Sequence, residues 1–266
     1  YAIGAFLGVM LLADAFAENP LKAFWSNYER MEGYVTLVHL ALYFTVLGSI
    51  VNTEKLWRYF FRLNILASFV MSCYGLLQLA GKITINQGGV RLDGTFGNAT
   101  YLAGYMLMMI FLAIFLFVKD KNIWWRGFYG LSLVLYVIVL FSTATRGALL
   151  GLIGGLVLSA IIIAFFEKEN RTLRNISIGV AIAVVLLSGF FYAIRDTKFV
   201  QSRPSLSRLT SVSANSGDAK ARFMVWSMAL QGIKERPILG WGQEGFNFVF
   251  NKYYDPDMYN REQWFD

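Results

Sequence analysis

The sequence predicts an all-α, polytopic transmembrane helical bundle of about seven spans with a small helical region facing outward, and three observations carry that reading. The 266 residues are 56% hydrophobic and 17% aromatic with only 15% charged, and the mean hydropathy is +0.49, too apolar for an ordinary soluble domain. Stretches such as Leu131–Leu140 and Ile176–Leu187 are apolar all the way round a helix and leave no wet face. Apolar runs recur at roughly the 17–25 residues of a bilayer crossing, and only helices fit, because each backbone amide in hydrocarbon must be satisfied within its own segment.

In order, the spans are Tyr1–Ala13 (partial), Tyr34–Val51, Leu63–Ala80, Tyr101–Val118, Gly127–Ala144, Ala148–Phe166 and Ile176–Ile194. Tyr1 opens directly into an apolar run with no basic segment before it, and Asp266 falls in the middle of a polar, aromatic-rich stretch, so the sequence reads as cut at both ends. Orientation follows from the cations flanking the spans. One set of short loops holds Lys55, Arg58 and Arg62, then Lys119, Lys121 and Arg126, then Lys168, Arg171 and Arg174. The opposite set holds only Lys22, Arg30, Lys82, Arg91 and Arg146, although two of its loops are about twice as long, so the first set is cytoplasmic. The chain therefore divides into a transmembrane helical domain, 1–194, and a large outward loop with helices, 195–266.

Trp25, Tyr28, Trp57, Trp124 and Trp125 fall at span ends and read as an interfacial anchoring belt. Gly147, Gly151, Gly154 and Gly155 repeat at helical spacing on the sixth span and permit close helix packing. In the outward segment, Ser216 or Asp218 can cap a helix running to about Glu235, which Pro237 ends. Gly240, Gly242 and Gly245 around Trp241 read as a tight turn, followed by a second helix over Phe246–Tyr254.

The net charge of +7 does not indicate nucleic acid, because the Lys and Arg residues lie in loops between spans and are not gathered on one exposed face. A single Cys73 excludes an internal disulfide and cysteine metal clusters, and a single His39 excludes histidine-rich metal sites. Both sit within spans and receive no role. Asp14 and Glu18 look like the acidic loop of metal-using glycosyltransferases, and Asp255-Pro-Asp257 matches a nucleotide-sugar metal motif. No histidine or further carboxylate converges on the first pair, and a proline turn accounts for the second, so neither a metal nor another cofactor is expected.

Arg146, in Ser142-Thr-Ala-Thr-Arg-Gly147, stands between two apolar runs, where a cation is costly unless it snorkels or meets an anion. Its structural alternative is a hydrated turn residue. Arg222, in Ala221-Arg-Phe-Met-Val-Trp226, is a second cation on the outward helix, with a solvated face as its alternative. Two guanidiniums on one side of the membrane can grip a diphosphate, each charged at any relevant pH. Nucleotides are not supplied outside the cytoplasm, which leaves a lipid diphosphate.

Asp93-Gly-Thr-Phe-Gly-Asn98 followed by Leu102-Ala-Gly-Tyr105, then Thr145-Arg-Gly-Ala-Leu-Leu150, then Arg222-Phe-Met-Val-Trp226 with Pro237-Ile-Leu-Gly-Trp-Gly242, resemble in order the motifs of bacterial O-antigen ligases. Related O-antigen polymerases and protein O-oligosaccharyltransferases share them, and Tyr28-Glu-Arg-Met-Glu-Gly33 looks like part of the same pattern. The resemblance runs from about Trp25 to the end of the sequence. It implies a multi-span, GT-C-like, inverting and metal-independent glycosyltransferase of the bacterial inner membrane, with its large loop on the periplasmic side. The donor would be a glycan on undecaprenyl diphosphate, and the acceptor lipid A core, another glycan or a protein.

Under this resemblance Arg146 and Arg222 are the catalytic candidates, neutralising the departing diphosphate. Arg30, Asn98, Trp241 and Glu244 are the substrate-binding candidates, with a plain helix-start carboxylate as the alternative for Glu244. The family's general base is a histidine in the distal outer loop; none follows His39, so it is expected beyond Asp266. The competing function is a transporter or flippase of lipid-linked glycans. That reading calls for ionisable residues deep in the spans or for broken helices, and the spans are nearly free of charge.

Overall fold

The computed structural model describes residues 1–28, 31–86, 91–167, 170–193, 197 and 217–259. Each apolar run read from the sequence is a helix. They are α1 (Ala2–Ala15), α3 (Tyr34–Ile50), α4 (Glu54–Leu79), α5 (Ala99–Lys119), α6 (Ile123–Ser142), α7 (Arg146–Phe166) and α8 (Arg171–Ala193). A short α2 (Pro20–Trp25) lies between the first two, and the C-terminal segment supplies α9 (Gly217–Glu235), α10 (Phe246–Lys252) and a 3₁₀ turn at Pro256–Met258. No strand occurs among the described residues.

Among the described residues α4, α5, α6 and α7 are long and apolar enough to cross a membrane. α1, α3 and the apolar stretch Arg174–Phe190 of α8 are shorter, so a count of seven rests on sequence for those three.

The chain forms two compact units, Tyr1–Thr53 with Ser213–Asp266, and Glu54–Val212. These units are defined by packing, whereas the division expected at 195 was drawn from the charges flanking the apolar runs.

In the second unit α5 packs against α4, α6 and α7 around a core that includes Ile65, Met106, Tyr136 and Val139. Small polar residues fit α4 into it. Ser68 Oγ lies 2.6 Å from the Tyr136 hydroxyl, which also donates to the Ile65 carbonyl at 2.9 Å, so each buried hydroxyl is satisfied. The glycine stripe works as packing where it meets α5. A Cβ on Gly155 would lie 2.5 Å from Phe111 Cζ, and one on Gly151 would lie 3.0 Å from Leu107. Large apolar residues such as Leu131, Val134, Leu158 and Phe165 point outward, as expected of helices solvated by lipid.

In the first unit α1, α2 and α3 pack on one another, and α9 packs on α10 through Met228, Phe250 and Met258. Glu235 joins those two helices, accepting from Lys252 Nζ at 2.6 Å and from the Tyr253 hydroxyl at 2.5 Å. Of the aromatic belt, Trp25, Tyr28 and Trp124 are exposed, whereas Trp125 is packed against Tyr129 and under the Arg62 guanidinium.

Candidate functional site

The corner between α6 and α7 is built by four residues. Thr143 terminates α6 by donating its hydroxyl to the Leu140 carbonyl at 2.7 Å, and Ala144 turns the chain with φ at +50°. Thr145 then precedes Arg146, the first residue of α7. The corner is held from outside by Arg91, whose Nε donates to the Thr143 carbonyl at 3.1 Å and whose Nη2 donates to Thr145 Oγ1 at 3.2 Å. Arg91 thus fixes the residues on which Arg146 stands.

Arg146 is half-buried and begins a 21-residue helix whose N-cap makes no side-chain capping bond. A cation there gains nothing from the helix dipole; both the guanidinium and the first amides of α7 favour an anion.

The Asp93–Asn98 motif is local scaffolding for the same unit. Asp93 is fully buried and accepts from Gln78 Nε2 at 2.8 Å, while Gln78 Oε1 takes the Gly94 amide at 2.9 Å. Asn98 caps α5 by accepting from the Thr100 amide at 2.7 Å.

In the other unit, the turn after α9 is anchored on the last turn of α1 and on the segment that follows it. The Gln243 amide donates to Asp14 Oδ1 at 2.7 Å, and Gln243 Nε2 donates to the Glu32 carbonyl at 3.0 Å. Glu244 accepts from Ser26 Oγ at 3.0 Å and pairs with Lys22 at 3.9 Å, and Arg236 pairs with Glu18. Trp241 donates Nε1–H to the Gly232 carbonyl at 3.0 Å, and its ring lies 4.1 Å under the Arg236 guanidinium. Asp14 is only 2% exposed, and its Oδ2 and Gln243 Oε1 have no hydrogen-bond partner. Burial pushes the Asp14 carboxyl up, and the Gln243 amide offsets only part of that. Arg222 lies exposed on α9 in this unit.

Of the candidates, Trp241 and Glu244 come together in the anchored turn; Arg146, with Asn98, belongs to the other unit. Arg30 lies outside the described residues. Asp14 and Glu18, weighed as a metal loop, go to the Gln243 amide and to Arg236, and Asp255 caps its own proline turn by accepting from the Asp257 amide at 3.0 Å. Sequence reading missed Arg91 and Gln243. Arg91 had counted only toward orientation, and the Asp14 partner lies 229 residues away, beyond any local pattern.

Long lipid-facing helices with polar corners that carry guanidiniums define a helical membrane protein. The family model described as O-antigen ligase matches residues 131–266, from within α6 through α9 and α10, and the chain belongs to this family. Membership makes it an O-antigen ligase- or polymerase-like membrane enzyme of glycosyltransferase type. The Tyr28–Gly33 and Asp93–Asn98 segments lie ahead of the matched span. No curated protein and no solved structure matches the chain.

Proposed function

We propose that the chain moves a glycan from a polyprenyl (undecaprenyl) diphosphate carrier to an acceptor on the outer face of the bacterial cytoplasmic membrane. The observation that carries this reading is Arg146 at the first turn of α7, on a corner held by Arg91. A guanidinium and the positive end of a helix dipole together suit the negative charge that grows on a departing diphosphate.

In this reaction an acceptor hydroxyl attacks the anomeric carbon from the face opposite the leaving group. The bond to the phosphate oxygen breaks with both electrons going to the diphosphate, and a general base takes the hydroxyl proton. Arg146 and Arg222 supply the fixed positive charge that a divalent cation supplies elsewhere, which fits a metal-independent route. Arg30, Asn98, Trp241 and Glu244 are assigned to the glycan and acceptor, with lipid A core, another glycan or a protein as acceptor classes. Asn98 and Trp241 also carry the helix-capping and packing bonds described above, so their share in binding falls to the remaining faces of their side chains.

The test uses the full-length protein in vesicles with a lipid diphosphate glycan and an acceptor. Acceptor-dependent appearance of free polyprenyl diphosphate is the expected result. Movement of the intact lipid-linked glycan across the vesicle without bond cleavage overturns the proposal in favour of a transporter or flippase.

A further inference from the structure

α4 and α5 pack against each other, and both are long enough to cross a membrane. At the end where α4 begins and α5 finishes, an apolar trench is floored by Trp57, Phe61, Phe115 and Leu116, with Glu54, Arg58, Lys119 and Asp120 at its rim. A second groove shares Arg58 and continues along α4 past Lys55 and Tyr59. The trench therefore lies where the apolar parts of both helices end, among cations of the first turns of α4 and the last turn of α5.

The charges there do not cancel. Asp120 is committed to Arg62, accepting from its Nη2 at 2.5 Å, and Arg62 is further held by the Tyr129 hydroxyl at 3.2 Å and by Trp125. Glu54 pairs with Arg58 at 3.1 Å across one helical turn, with both side chains largely exposed, so that pair is weak and easily exchanged. Lys119 in the trench and Lys55 in the adjoining groove have no ion-pair partner among the described residues, so the surplus positive charge is shared by the two grooves. A net positive rim above an aromatic floor matches one class of occupant in charge and shape together.

We propose that this trench binds an anionic phospholipid, its phosphate held between Arg58 and Lys119 and an acyl chain laid on Trp57, Phe61 and Phe115. A zwitterionic lipid would match the floor and gain nothing from the surplus charge. A free anion would match the rim and leave the rings uncovered. Basic pockets between spans at the cytoplasmic side take acidic headgroups, and two surplus cations correspond to roughly a ten- to thirtyfold preference over a zwitterionic lipid. The site lies away from the α6–α7 corner, and the proposal does not depend on the transfer reaction.

The experiment is native mass spectrometry of the full chain released from nanodiscs, comparing phosphatidylglycerol with phosphatidylcholine of the same acyl chains. The wild type is expected to retain phosphatidylglycerol ten- to thirtyfold better. The Arg58→Gln, Lys119→Gln double variant should fall to the phosphatidylcholine level, and Arg174→Gln, in the first turn of α8 and in another basic cluster read as lying on the same face, should not. Phe61→Trp, which fills the trench without changing charge, should also lower retention. Equal retention of the two lipids overturns the proposal, as does an Arg174→Gln effect as large as the double variant's. Complete displacement of the lipid by millimolar inorganic phosphate would overturn it too, since the aromatic floor would then contribute nothing.

Discussion

Gln243 donates its backbone amide to Asp14 Oδ1 at 2.7 Å, joining residues 229 apart in sequence, and this bond ties the glycine-rich turn of the family motif to the last turn of α1. The turn cannot hold its shape by local preference alone. Gly240, Gly242 and Glu244 all adopt positive φ, and for Glu244 that is a conformation its side chain disfavours. The external bonds from Asp14, Ser26 and Lys22 supply what the local backbone lacks.

Removing the acceptor should therefore loosen the turn. Asp14→Ala leaves the Gln243 amide without its partner and is expected to cost about 1–3 kcal/mol, whereas Asp14→Asn keeps an acceptor oxygen and removes a buried charge. Thermal unfolding in detergent, with hydrogen exchange at the Gln243 amide, should rank the asparagine variant at or above wild type and the alanine variant below it.

The same carboxyl has a pH signature. Asp14 lies one residue past the apolar run Tyr1–Ala13, and burial raises its pKa despite the Gln243 amide. An acid with a raised folded pKa binds more protons folded than unfolded. Its contribution is greatest in acid and is lost as pH rises from the ordinary aspartate range through the raised value. Stability curves of wild type and Asp14→Asn should converge in acid and separate above that window, with the asparagine variant ahead.

Glu235 titrates in the opposite sense. Hydrogen bonds from Lys252 and Tyr253 hold its carboxyl below the usual range. The link between α9 and α10 is present above that range and is lost as pH falls through the depressed value. Glu235→Gln should abolish this acid-side loosening when it is followed by hydrogen exchange in α10.

Gly242 tests the close approach directly. A Cβ there would lie 2.4 Å from Ala17 Cβ, and φ is +77°, while Gly240 has φ of +67° with nothing within 4 Å. Gly240→Ala should cost about 1–2 kcal/mol from backbone conformation alone. Gly242→Ala should cost more, because overpacking adds about 1–3 kcal/mol. Unfolding temperatures of the two variants decide it.

Arg91 is expected to act as a positioning residue for Arg146. Arg91→Lys and Thr145→Val should each lower transfer activity, and together lower it by less than the sum, with a coupling of about 0.5–3 kcal/mol. Strictly additive effects would mean that the Arg91–Thr145 bond at 3.2 Å contributes nothing to the site.

The helices were legible in the sequence because hydrocarbon demands long apolar runs. The stretch Tyr34–Val51 became Tyr34–Ile50, and the outward helix ended at Glu235 just before Pro237, as its breaker implied. The start of α4 was not legible. It reaches back from Leu63 to Glu54, because the Glu54–Arg58 pair supports charged turns that a hydropathy reading takes for loop. α2 was missed at six residues, although Asn19 at its N-cap and Pro20 at its first position were available signals. Site residues were legible as types and not as partners. Arg146 stood out by its isolation among apolar runs, whereas the roles of Arg91 and Gln243 depend on bonds to Thr145 and Asp14, which no local pattern encodes.

The most direct test of the account is the single-turnover rate of polyprenyl diphosphate release by wild type, Arg146→Ala and Arg222→Ala, with donor and acceptor saturating. Losing either guanidinium should slow release by about 10²–10³. Release at the wild-type rate by both variants would contradict the assignment of these two arginines to the diphosphate.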